Sequence, residues 1–155
     1  MDKYRFMNNK KMQVRKRNGS TQPLYFDKII ERIKKLCSSE ELEMLDIAMV
    51  AQKVISNMAD LMSTSEIDLL SANIAAQLIT THPKYGELAT RISVSNLHKE
   101  TDKNFSDVVI KLYNNEPKLV TQEFYEVVLN NKQILDGNIN YNNDYNFSYF
   151  GLKTL

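Results

Sequence analysis

Apolar residues recur at helical spacing in four successive stretches. Ile29, Ile30, Ile33, Leu36 and Cys37 form the first stripe; Ile47, Val50, Ala51, Val54, Ile55, Met58, Leu61 and Met62 form the second. Ile67, Leu70, Ile74 and Leu78 make the third, and Tyr85, Leu88, Ala89, Ile92 and Ser95 the fourth. One apolar face per stretch is the pattern of an amphipathic helix. The flanking residues agree. Asp27 and Asp46 suit helix N-caps, and Ser63 with Glu66 has capping-box spacing. Ser38-Ser39-Glu40-Glu41 breaks the first stripe, and His82-Pro83 ends the third, because a residue before proline avoids helical geometry. Ahead of the helices, Asn18-Gly19 marks a turn between two short strands. Val14 and Leu24 are expected to share its buried face, which requires an odd-length loop such as Asn18-Gly19-Ser20 with a bulge. That register puts Lys16 opposite Gln22. The pattern predicts a mainly α chain: a four-helix bundle capped by a small N-terminal β-hairpin, followed by a partial helical segment.

The pattern changes near Asp102. Phe105, Val108, Val109 and Leu112 mark one further helix, and Phe124, Val127, Val128 and Leu129 another. An Asn- and Tyr-rich segment follows and ends in Ser148-Tyr149-Phe150-Gly151-Leu152-Lys153-Thr154-Leu155. This stretch has too few apolar residues to bury itself, and its aromatics suit packing on a larger body. The expected organisation is a flexible leader over 1–11, one domain over 12–101, and the beginning of another over 102–155.

Composition narrows the function classes. The 155 residues are 43% hydrophobic and 25% charged, ordinary for a globular protein. A net charge of +1 argues against nucleic-acid binding through bulk charge, although basic residues dominate before Lys35. A single cysteine, Cys37, excludes a disulfide framework and a cysteine zinc ribbon. No apolar run approaches the roughly 18 residues of a membrane span, and Met1–Lys11 has no apolar core of a secretory signal. A cytoplasmic protein is expected, with neither nucleic acid nor membrane as a partner.

The candidate chemistry is cationic. Lys16 on the inward face of the hairpin calls for an anion. Lys28 sits in the first turn of a helix, where the macrodipole disfavours a cation by about 0.3–1 kcal/mol. A bound phosphate would reverse that sign, whereas a solvated Lys28 would simply be harmless. Thr64 and Asp68 are four apart and share a face near a helix N-terminus. Lys99 lies two turns beyond Ile92 on a core-facing stripe, so it either snorkels to water or meets a charged ligand. His82 has no second histidine nearby and reads as a helix-end residue rather than a metal ligand, and the methionines read as core filler.

Val14-x-Lys16-Arg17-Asn18-Gly19, then Gln22, then Phe26-Asp27-Lys28-Ile29, resembles the signature of the ATP-cone, the N-terminal allosteric module of class I ribonucleotide reductase large subunits. The resemblance continues through Ala89-Thr90-Arg91-Ile92-Ser93-Val94-Ser95-Asn96-Leu97-His98-Lys99-Glu100-Thr101 and Phe105-Ser106-Asp107-Val108 to the Tyr149–Leu155 tail, which is similar to the entry into the family's catalytic barrel. It implies an effector, ATP or dATP with Mg2+, that controls overall activity in the making of deoxyribonucleotides for DNA replication. It implies that Lys16, Arg17, Lys28 and Lys99 meet the triphosphate. Thr64 and Asp68 would hold the nucleoside end and help orient the phosphates, and Gln22 and Ile29 would lie near the base. Asn18 and Gln22 stand where the family usually has Asp and Glu, and the second change removes an acceptor charge from the pocket.

The resemblance also implies partners: the rest of the large subunit and, through it, the small radical-bearing subunit. It places this chain before the family's catalytic cysteines and radical-relay tyrosines, with Cys37 in a cone helix, so no activity is expected of it alone. Two other readings compete. Bacterial repressors carry an ATP-cone too, but they need a four-cysteine zinc ribbon that one cysteine excludes. A degenerate cone that serves only as a protein-interaction module is the alternative that Gln22 keeps open.

Overall fold

The computed structural model describes residues 12–155, so the leader expected over 1–11 lies outside the described residues. The described chain is mainly helical with a small sheet at its N-terminal end, and it divides into two compact units, one ending at Ser93 and one beginning at Val94.

The first unit opens with β1 (Gln13–Arg15) and β2 (Thr21–Pro23), antiparallel. Their register differs from the expected one: Val14 faces Gln22, not Lys16, and Leu24 N–H donates to Met12 O at 2.8 Å. The turn is Arg17-Asn18-Gly19. Gly19 N–H donates to Lys16 O at 2.9 Å, Lys16 N–H to Ser20 O at 2.7 Å, and Gly19 takes φ +81°. That is a three-residue loop closed by a left-handed glycine, which fixes the register two residues away from the Asn18-Gly19-Ser20 alternative. A slip of two leaves side chains on the same face, so Val14 is still buried at 4% exposure.

A third strand, β3 (Met62–Ser63), was not expected. It runs parallel to β1, pairing Val14 with Met62 and Arg15 with Ser63, so β1 is central. Asp60 Oδ1 accepts from Gln13 N–H at 2.8 Å, and Leu61 N–H donates to Gln13 O at 2.8 Å. These bonds hold Leu61 at φ 62°, an uncommon conformation for a branched side chain, and steer the chain into β3.

The bundle comprises α1 (Phe26–Lys34), α3 (Ile47–Ser56), α4 (Thr64–Gln77) and the first part of α5 (Lys84–Glu100). Ile29 and Ile33, Val50, Ala51 and Val54, Ile67 and Ile74, and Leu88, Ala89 and Ile92 bury the expected stripes. Asp46 caps α3 through Met49 N–H, and Ser63 with Glu66 forms the full capping box of α4. Two expectations fail. Tyr25, not Asp27, is the N-cap of α1, and it makes no side-chain cap; Asp27 sits inside the first turn, where its charge favours the helix dipole. Ser38–Glu41 is not a break but the start of α2 (Ser39–Met44), because Ser38 and Glu41 themselves form a capping box. α3 also stops at Ser56, which leaves Leu61 to the turn before β3 and Met62 to the strand. His82 Nδ1 accepts from Lys84 N–H at 3.2 Å and so caps the start of α5, a helix-end role.

One buried ion pair ties α2 to α5. Glu41 is 2% exposed, accepts from Ser38 N–H at 2.7 Å, and receives Arg91 on its other oxygen. Burial alone would raise the Glu41 carboxyl, but the Ser38 N–H and the Arg91 guanidinium outweigh it and hold it below its usual range. Beside them, burial and the Glu41 charge push the Cys37 thiol up to about 11, which keeps it protonated and unreactive.

The second unit holds α6 (Phe105–Tyr113), α7 (Gln122–Asn130), α8 (Lys132–Asn138), a 3-10 segment (Tyr141–Asn146) and α9 (Tyr149–Thr154). Val94, Val109 and Val128 are its most buried aliphatics. The N-cap of α6, Asn104, makes no side-chain cap bond. Asp136 of α8 does that work instead, accepting from Ser106 N–H at 2.9 Å and Ser106 Oγ at 2.6 Å. Tyr113 and Tyr125 stack with centroids 4.0 Å apart. Phe124, Val127, Ile134, Phe147 and Phe150 stay exposed. Among the described residues no helix is long and apolar enough to cross a membrane.

Candidate functional site

The sheet and two helix N-termini meet in the first unit around a cavity of about 60 Å³. Its apolar wall comes from Val14, Ile33, Ile67 and Ile92. Its polar groups are Gln22, Lys28, Arg32, Thr64, Asp68 and Ser71. Each is placed by a local rule. Gln22 shares the inward face of the hairpin with Val14 because the two are paired residues. Lys28 is the third residue of α1, and Thr64 is the first of α4, directly after the capping serine. Asp68 follows Thr64 by one turn on the same face.

Asp68 is the electrostatic centre. It is 3% exposed, and its Oδ2 accepts from two arginines: Arg17 of the hairpin turn at 3.3 Å, and Arg32 of α1 in a shorter bond. A buried carboxylate needs such partners, since an unpaired charge there would cost several kcal/mol or force protonation. Burial lowers the Arg32 pKa, Asp68 opposes that, and Arg17 adds repulsion. Lys28 Nζ lies 4.7 Å from the ring centroid of Tyr25, so its cation rests on an aromatic face beside the helix N-terminus.

Of the residues singled out from the sequence, Gln22, Lys28, Ile29, Thr64 and Asp68 line this one cavity, and Arg17 reaches it through Asp68. Lys16 and Lys99 are not among its lining residues. Lys16 is exposed at the end of the hairpin, and Lys99 is exposed in the last turn of α5, within the second unit. A family model for the ATP cone domain matches residues 12–100. The chain belongs to the ATP-cone family.

The relatives of this cone agree with that assignment. Over 155 aligned positions, 94% of this chain, it is 44% identical to the ribonucleoside-diphosphate reductase large subunit of Dictyostelium discoideum. Over 151 positions it is 40% identical to the large chain of Neurospora crassa and 43% identical to the large subunit of Variola virus, each covering 93% of this chain. The chain spans only 18%, 16% and 20% of those three proteins, respectively.

Arg32 is the cone residue that the sequence reading missed. Its position carried the signal: it follows Lys28 by four and Ile29 by three, so it lies on their face of α1. Helix charges on a mixed face are ordinarily solvated, and only the buried Asp68 on another element reveals why this one turns inward.

Proposed function

We propose that this chain is the nucleotide-binding regulatory module of a ribonucleoside-diphosphate reductase large subunit, with ATP and dATP as effectors that set the activity of the assembled enzyme in the cytoplasm. In this reading residues 12–101 form the cone and residues 102–155 begin the reductase body. The remainder of the large subunit and the small radical-bearing subunit are its partners, and no reductase activity resides in this chain alone. The observation that carries the proposal is the convergence of Lys28, Arg32, Thr64 and Asp68 on one cavity bordered by the N-termini of α1 and α4. Cations and helix N-termini together favour phosphate, and the apolar wall suits a base.

Lys28, Arg17, Lys16 and, by the family resemblance, Lys99 would take the phosphates, Thr64 and Asp68 the nucleoside end, and Gln22 with Ile29 the base. Among the described residues no group of three or more His, Cys, Asp or Glu comes together to hold a metal. Mg2+ would therefore arrive on the triphosphate, neutralising charge that the lysines and arginines do not reach.

Thermal unfolding with Mg-ATP, Mg-dATP, Mg-GTP and Mg-CTP tests the proposal. A ligand at ~100 times its dissociation constant adds about 2.7 kcal/mol to stability, so ATP and dATP should raise the melting temperature clearly. If all four are inert at millimolar concentration, the nucleotide reading is wrong and the cone serves protein contacts only.

A further inference from the structure

We propose that Ser71 is a specificity-determining residue of this cavity: its buried hydroxyl, left with only an acceptor to offer, selects an effector whose base carries an amino group over one with a keto group at the same place. The inference rests on the nucleotide reading above.

The cavity is graded along α4. Thr64 is the first residue of that helix, Asp68 stands one turn in and Ser71 about two, so the three share a face. At 1.5 Å per residue, Ser71 lies about 10 Å along the helix axis from Thr64. Its companions in the wall are apolar: Ile67 one turn before it, Ile33 of α1 with Leu36 just past that helix, and Ile92 of α5. A nucleotide with its phosphates at the helix N-termini carries its base toward this end.

Ser71 is 3% exposed, and its hydroxyl donates to Ile67 O at 2.7 Å. A hydroxyl has one proton and two acceptor lone pairs. With the proton spent inside the helix, what remains for the cavity is an acceptor. Gln22, which lines the same cavity, differs: its amide carries both a donor and an acceptor and can rotate to present either to a base edge. Gln22 alone therefore suits an amino purine and a keto purine about equally. Ser71 does not. An exocyclic amino group has two N–H donors, one for Gln22 and one for Ser71. A keto oxygen set against Ser71 either opposes lone pairs to lone pairs in a buried place or draws the proton away from Ile67 O, and both forfeit a hydrogen bond. A site built to pair with a donor rejects the analogue that lacks it, because its own buried polar group is then left unpaired.

Isothermal titration of the full chain with three magnesium complexes tests this. They are ATP, inosine triphosphate, which has a keto oxygen in place of the amino group, and purine riboside triphosphate, which has neither. The unaltered chain should bind Mg-ATP most tightly. Ser71→Ala, with folding checked by circular dichroism, should weaken Mg-ATP by about threefold to tenfold, the scale of one neutral hydrogen bond, and should leave the purine riboside triphosphate within about twofold. The inosine nucleotide should bind this variant at least as well as it binds the unaltered chain, so the preference for ATP narrows. Ser71→Cys keeps the space filled but offers sulfur, a weak acceptor, and should behave as Ser71→Ala does. Equal losses for all three nucleotides, unchanged affinity for Mg-ATP in Ser71→Ala, or a Ser71→Cys variant that binds like the unaltered chain would overturn the role of Ser71 and leave the nucleotide site standing. Equal binding of the three nucleotides by the unaltered chain would do the same. Absence of binding of all three to the unaltered chain would overturn the nucleotide reading itself, and this one with it.

Discussion

Replacing Arg91 with leucine isolates the buried ion pair from the ligand site. Arg91 lies on α5 and Glu41 on α2, and neither lines the cavity. After the change Glu41 keeps its bond from Ser38 N–H but loses its counter-charge while it is 2% exposed. Orphaning a fully buried charge costs about 3–5 kcal/mol. The Arg91 side chain is 27% exposed, so water screens part of the interaction, and the low end of that range, about 3 kcal/mol, applies. At about 4–8 °C per kcal/mol for a domain of this size, the melting temperature should fall by roughly 10–20 °C.

The pH dependence sharpens the prediction. The folded Glu41 carboxyl titrates below its ordinary value, so it contributes stability above the unfolded pKa of about 4.3 and loses it as pH falls through the lower folded value. In Arg91→Leu burial is no longer outweighed to the same degree, and that contribution shrinks at neutral pH. The deficit of the variant should therefore be largest near neutrality and narrower at about pH 3.5, already below the unfolded pKa, because the contribution of the pair declines as pH falls toward the depressed folded value. Urea unfolding followed by circular dichroism measures both deficits. A neutral-pH deficit below about 1 kcal/mol, or the same deficit at both pH values, would refute the assignment of Glu41–Arg91 as a stabilising buried pair.

Lys28→Ala should leave the stability of the ligand-free chain within about 1 kcal/mol, because the lost contact with Tyr25 and the relieved dipole repulsion are each of that order and opposite in sign. The same variant should bind Mg-ATP about tenfold to a hundredfold more weakly by titration calorimetry, and equal affinity would remove Lys28 from the site. Asp136→Ala should destabilise the second unit by about 1–3 kcal/mol and speed amide exchange at the start of α6, since it leaves the buried Ser106 N–H and hydroxyl without their acceptor. Gly19→Ala should cost about 1–2 kcal/mol by urea unfolding through φ +81° alone, because nothing lies within 4 Å of the added methyl.

The helical core was legible because four stripes of apolar residues at one period leave few ways to bury them. Ile33, Val54, Ile74 and Leu88 are all where that pattern sends them. What escaped the sequence was set by geometry between distant segments. Asp27 looked like a cap, yet the chain enters α1 two residues earlier, at Tyr25. Met62 falls in the second apolar stripe and Ser63 in a capping box, and only their pairing with β1 makes them a strand. Ser38–Glu41 was read as a break because its polar residues hide a capping box that serves a helix of six residues. In the candidate site, Thr64 and Asp68 could be paired by spacing, whereas Arg32 could not, because its partner lies 36 positions away on another helix.

The third strand has a kinetic consequence. β1 and β2 are joined by three residues and can pair early, as local contacts do. β1 and β3 pair across 48 positions, from Val14 to Met62, and that closure delivers Thr64 and Asp68 to the hairpin. The basic hairpin therefore exists before the site does. A nascent or clipped chain that ends ahead of α4 displays every cation of the hairpin and α1 without Asp68 to order Arg17 and Arg32. The candidate site is thus completed late in folding, when the shortest strand of the sheet locks into place.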